Sequence, residues 1–211
     1  MKVTVCLNPV HSALGPYGML LGHENFADNM SDPELLALAD LVGKEGMEFV
    51  ENPKILSPEA FLEECLKERF PNHFLGDTSA RIVTDESQGL AIRFGENIKA
   101  CAKKYGSAER LDGISLALAG WLRYVLGVDD QGQPYVLSPD PLAPVYQEEL
   151  KHVKIGDPES AEGALRPILE NANVFGVNLY EAGIGEKVEA VFREEIAGRG
   201  AVRETLKKYL S

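Results

Sequence analysis

The sequence predicts a mainly α-helical fold. Apolar residues recur at helical spacing through most of the longer segments. Ser, Asp or Asn placed directly before proline marks several helix starts. The one extended piece, Tyr135-Val136-Leu137, is too short to build a sheet. With 211 residues, 45% of them hydrophobic, the chain can bury a sizeable core, and with no repeat or flexible linker in view residues 1–211 are expected to form a single compact domain.

The elements follow in order. Asn8-Pro9 has the residue types of a helix cap and first turn, and Val10 to Leu21 is apolar with small breaks. Gly15-Pro16 is expected to kink or break that helix. Ser31-Asp32-Pro33-Glu34 starts the next, with acidic residues on the positive end of the dipole and Leu35, Leu38, Ala39, Leu41 and Val42 forming its apolar stripe up to Phe49. Ser57-Pro58-Glu59 repeats the start signal for a helix that stops near Phe70-Pro71. Asp77-Thr78 is expected to cap a helix through Arg81 to Glu86, followed by a longer one over Ile92 to Tyr105. Leu111 to Leu126 is the most apolar stretch. It reads as the central buried helix, with Gly113, Ala117, Ala119 and Gly120 allowing close approach and Trp121 filling the core. After a turn at Val128 to Pro134 and a break at Ser138 to Pro141, helices are expected over Leu142–His152, Ser160–Asn171, Ile184–Ala197 and Ala201–Leu210.

Composition limits the chemistry. A net charge of -12 gives no basic footprint for nucleic acid or an anionic membrane, yet leaves room for a small anion held by local arginines. Cys6, Cys65 and Cys101 are widely spaced and include no CxxC pair. Together with the lack of a secretory h-region this points to reduced thiols in a cytoplasmic protein. His11, His23, His73 and His152 are scattered, so no metal site is expected. Neither a GxGxxG turn nor a Walker A sequence is present, so no dinucleotide or nucleoside triphosphate site is visible.

The stretch Lys2 to Leu14 carries a lysine, an amide and an imidazole. Asn8 and His11, three apart, share a helix face and can hydrogen-bond a hydroxyl. The same residues also suit a cap and a packed core histidine. Arg81, Arg93 and Arg123 flank or sit within apolar helices, which fits a structural ion pair as well as a ligand contact.

Residues Leu7-Asn8-Pro9-Val10-His11-Ser12-Ala13-Leu14 resemble the signature that opens the C-terminal domain of the polyol-specific long-chain dehydrogenases, a family that includes mannitol 2-dehydrogenase and the fructuronate and tagaturonate reductases. The similarity continues at Arg69-Phe70-Pro71-Asn72, at Asp77-Thr78 to Arg81, and from Ala119-Gly120-Trp121-Leu122-Arg123-Tyr124 to Gly127-Val128-Asp129-Asp130. The resemblance implies a helical C-terminal domain like those of mannitol dehydrogenase and 6-phosphogluconate dehydrogenase-like enzymes. It also implies a metal-independent oxidoreductase using NAD or NADP, held mainly by an N-terminal Rossmann domain absent from this chain. The chain would then be a separated half of a longer protein, without redox activity by itself.

By the same resemblance Lys2, Asn8 and His11 are catalytic, and Arg81, with Arg93 and Arg123, binds a sugar alcohol or aldonate of the mannitol or mannonate type. A lysine of lowered pKa would take the hydroxyl proton while Asn8 and His11 hold the oxygen. Two departures stand out. Lys2 lies six residues before Asn8 where the family spacing is five, a turn of about 100° on a helix. Gly89 stands where such members tend to carry a substrate-contacting lysine. The alternatives are a polyol-phosphate dehydrogenase domain and a non-catalytic helical interaction module of the same fold.

Overall fold

The computed structural model describes residues 7–49 and 57–210, so Lys2 and Cys6 lie outside the described residues. Among the described residues the chain is helical, with isolated β-bridges such as Asn25 to Thr78 but no sheet. Twelve α-helices follow one another: α1 (Asn8–Leu21), α2 (Pro33–Met47), α3 (Pro58–Glu64), α4 (Ser79–Ile82), α5 (Glu86–Leu90), α6 (Glu96–Tyr105), α7 (Asp112–Val125), α8 (Ala143–Glu149), α9 (Arg166–Leu169), α10 (Ala172–Phe175), α11 (Gly185–Glu195) and α12 (Ala201–Leu210). None is long and apolar enough to cross a membrane.

The core is organised on α7, which packs against α1, α2 and α11 and is buried from Gly113 to Val125. Its glycines permit this. A Cβ on Gly120 would run into the Tyr17 ring of α1, and one on Gly113 would stand 2.9 Å from Leu41 of α2. Trp121 is edge-on to both Tyr146 and Phe175. The start of α7 is capped from another helix: Glu45 of α2 accepts from the Gly113 and Ile114 N–H groups at 2.8 and 2.9 Å. That gives the orphan amides of the first turn a buried partner.

Local start signals work as expected at three places. Asp32 Oδ1 accepts from the Glu34 and Leu35 amides at 3.2 Å, Ser57 from Ala60 at 3.0 Å and Thr78 from Arg81 at 3.2 Å. Several expectations need correction. Helix α1 runs unbroken through Pro16, because its burial against α7, α2 and α4 outweighs the single ladder bond that proline removes. The helix after Thr78 stops at Ile82, since Asp85 takes the left-handed conformation (φ 54°) before α5 starts. The expected 92–105 helix begins earlier, at Glu86, and passes through a π-helical turn at Ala91–Gly95 before α6. A second π-helical turn, Cys65–Arg69, extends α3. Over 160–171 only a short 3₁₀ turn and the single turn of α9 form.

A polar cluster lies inside this packing. Tyr17 Oη is 2.5 Å from Glu195 Oε1 and 2.8 Å from the Leu116 carbonyl oxygen. One phenolic hydrogen cannot serve two acceptors, whereas a protonated Glu195 that donates back to the phenol satisfies both. Burial supplies that proton, pushing the Glu195 carboxyl up to about 8 against the pull of Tyr17 and Arg123. The folded chain therefore holds this proton more tightly than the unfolded chain does. The contribution to stability is complete below the ordinary value of 4.5 and is lost as pH rises through about 8. Urea unfolding across that range should show a smaller decline of stability with pH for Glu195→Gln than for the wild type.

Candidate functional site

Helix α1 brings His11 to the wall of a cleft of 250 Å³. The chain builds the remaining walls from three nearby segments. Asn25 and Phe26 come from the link between α1 and α2; Arg69 from the π-helical extension of α3, with Phe70 and Asn72 directly after it; and Leu75, Asp77 and Arg81 from the turn into α4 and α4 itself. The bridge between Asn25 and Thr78, with the Phe26 N–H donating to the Asp77 carbonyl at 2.9 Å, ties the first segment to the third. Phe26 and Phe70 hold the imidazole, with ring centroids 5.0 and 4.8 Å from it.

The electrostatics are one-sided. Burial first, then the positive charges of Arg93, Arg69 and Arg81, holds the His11 imidazole down at about 4. At neutral pH His11 is therefore an uncharged ring able to donate from one nitrogen and accept at the other. Arg81 is paired with Asp77, and Arg93 with the fully buried Glu86 at 2.5 Å. Arg69 makes no ion pair among the described residues, and the side chains lining the cleft include two arginines and one carboxylate, Asp77, with Asp28 against the lining His73.

The expected site residues divide as follows. His11 and Arg81 share the cleft. Asn8 lies three residues before His11 on α1, on the same face, but does not line the cleft and makes no side-chain hydrogen bond to a described residue. It does not cap the helix either: Leu7 is already helical (φ -74°, ψ -51°), which corrects the capping assignment. Arg93 stands behind His11, bound to Ser12 and Glu86.

Arg123 is corrected outright as a ligand contact. It is wholly buried and donates to the carbonyls of Glu195, Val128 and Asp129 at 3.3, 2.6 and 3.2 Å, clamping α7 to α11 and to the following turn. Lys2 lies outside the described residues. Arg69, Phe70 and Phe26 are cleft residues not singled out as site residues beforehand. The Arg69-Phe70-Pro71-Asn72 motif was the available signal for the first two.

A larger cavity, of 760 Å³, is lined by residues such as Leu126, Leu150, Ile155 and Arg199 and contains none of these groups. Among the described residues no cluster of three His, Cys, Asp or Glu side chains is placed to hold a metal ion.

The family model for the mannitol dehydrogenase C-terminal domain matches residues 1–193. The chain belongs to that family. A D-mannonate oxidoreductase of Thermotoga maritima is 48% identical over 209 residues, covering 99% of this chain and 39% of that protein. A D-mannonate oxidoreductase of Escherichia coli is 32% identical over 143 residues, covering 67% of this chain and 28% of that protein. Among solved structures, the Pseudomonas fluorescens mannitol 2-dehydrogenase in ternary complex with NAD and D-mannitol superposes with a TM-score of 0.80 at 21% identity, covering 99% of this chain and 40% of that one. The likeness in three dimensions establishes the fold. The chain spans about two fifths of the length of its Thermotoga relative.

Loss of the Arg123 clamp leaves three backbone carbonyls without their donor. Arg123→Met should lower the unfolding free energy by about 2–4 kcal/mol, measured by chemical denaturation, while leaving the His11 titration midpoint where it is.

Proposed function

We propose that this chain is the substrate-holding part of an NAD(P)-dependent oxidoreductase that interconverts an aldonate of the mannonate type and its keto-acid. The observation that carries this reading is an uncharged His11 in a cleft where Arg81 is paired with Asp77 and Arg69 makes no ion pair among the described residues. An arginine without a described counter-ion suits a substrate carboxylate better than a neutral polyol. The 48% identity to a protein named D-mannonate oxidoreductase agrees with it.

The described residues do not fit the cofactor themselves. A cleft of 250 Å³ is small for a dinucleotide, and no glycine-rich turn follows a strand here. We therefore place NAD or NADP on a separate N-terminal domain and derive no step through it. In this chain, His11 donates a hydrogen bond to the substrate oxygen at the reacting carbon, in a site dry enough to make that bond count. Asn8, a turn earlier on the same face of α1 and outside the lining of the cleft, is proposed as a second donor through its amide, and Lys2 as the proton acceptor. Arg69 and Arg81 orient the carboxylate end. The unpaired buried thiols Cys65 and Cys101 agree with placement in the cytoplasm.

The test uses the protein in which this chain follows its cofactor domain. His11→Ala should lower turnover of mannonate by about 100-fold or more. An unchanged rate would reduce His11 to a packing residue and remove the enzyme reading of this cleft. Arg69→Met should raise KM for mannonate more than for mannitol, and equal effects on both would overturn the carboxylate assignment.

A further inference from the structure

Behind His11 lies a second layer that the reading above does not use. Glu86 opens α5 and is fully buried. Arg93 sits seven residues later, in the π-helical turn Ala91–Gly95. Its Nη1 donates to Glu86 Oε2 at 2.5 Å and to Ser12 Oγ, on the residue next to His11, at 3.0 Å. Gly89 lies between them in sequence. A Cβ at that position would stand 2.6 Å from Arg93 Nε and 2.8 Å from its guanidinium carbon. The guanidinium thus occupies the space a side chain at 89 would need, and two partners on two different helices fix it there.

We propose that Glu86 and Ser12, with Gly89 leaving the room, hold the Arg93 guanidinium in one place behind the ligand-facing His11, so that its positive charge bears on the imidazole from a fixed position. This rests on reading His11 as the group that touches the ligand. Glu86, Ser12 and Gly89 are positioning residues, since they act through Arg93.

The π-helical turn accounts for the reach. One extra residue in a helical turn shifts the side chains after it relative to those before. Arg93 is thereby presented to both Glu86 and α1. Three cations bear on His11, and they come from three elements: Arg93 from this turn, Arg69 from the extension of α3, and Arg81 from α4. Arg93 has the largest effect of the three. Of their counter-ions, Asp77 belongs to Arg81 and Glu86 to Arg93, while Asp140 also faces Glu86 and His73 lines the same cleft. Burial pushes the Glu86 carboxyl up, and Arg93 and Ser12 pull it back, so the clamp holds while that carboxylate keeps its charge.

The experiment follows the His11 ring signal by NMR in this chain as pH is lowered, with His11→Gln used to assign it among the four histidines. Arg93→Met should raise the His11 midpoint by about one pH unit or more, the range for removing a nearby like charge. Arg93→Lys, which keeps the charge, should return part of that shift.

Gly89→Ala keeps every charge and places the better helix former at a half-buried helical position, so the variant should fold. It should nevertheless move the midpoint upward, because the guanidinium loses its seat. A purely structural role for the cluster predicts no change in the His11 midpoint in this variant. Should Arg93→Met fail to fold, Gly89→Ala alone decides. An unmoved midpoint in either folded variant overturns the clamp and leaves the reductase reading standing. Turnover that survives His11→Ala overturns the reading and leaves the clamp.

Discussion

Tyr17 lies across Gly120, and that approach fixes where His11 can stand. Helix α1 has its inner side sealed against α7 by the bare backbone at Gly120 and by the phenol bound to Glu195 and to the Leu116 carbonyl. A larger residue at 120 would push the whole helix outward, since a close-packed interior does not absorb such volume locally. Once α1 is held there, its other side is aimed at the α3 extension and α4, and the cleft forms where those three meet. The site is therefore a by-product of how tightly two buried helices pack.

The cleft itself is made of opposites. Aromatic rings from Phe26 and Phe70 dry the imidazole, while guanidinium groups surround it with positive charge. Either influence lowers the affinity of His11 for a proton, and they act together. Two of the cations are paired with carboxylates held on their own stretch of chain, at Asp77 and Glu86. Arg69 lines the cleft without an ion pair among the described residues, in a chain that is strongly acidic as a whole.

Much of this was legible before any coordinates. Caps at Asp32, Ser57 and Thr78 and the buried helix around Trp121 follow from residue types acting on near neighbours, whereas the expectation that His11 and Arg81 belong to one site came from the family resemblance. The failures share a physical cause, which is that the deciding partner is distant in sequence. Arg123 looked able to meet a ligand, but its acceptors come from the turn at Val128–Asp129 and from α11, seventy-two positions away at Glu195. Pro16 looked like a break because periodicity does not register how many surfaces press on α1. Asp85 ends α4 through a backbone angle that its composition permits but does not announce. Arg69 stands in a motif the sequence displays, but the π-helical turn that carries it to the cleft has no composition signature.

The cap on α7 carries a consequence for how the chain acquires its shape. A helix usually satisfies its first amides with a residue at its own start, but α7 borrows Glu45 from α2, sixty-eight positions upstream of Gly113. The opening turn is the costly step in helix formation, because several dihedral angles are fixed before many bonds are gained. Here that step is completed only when α2 has already docked. The two helices must order as one cooperative unit, so hydrogen exchange at the first turn of α7 is governed by opening of the core and not by local fraying.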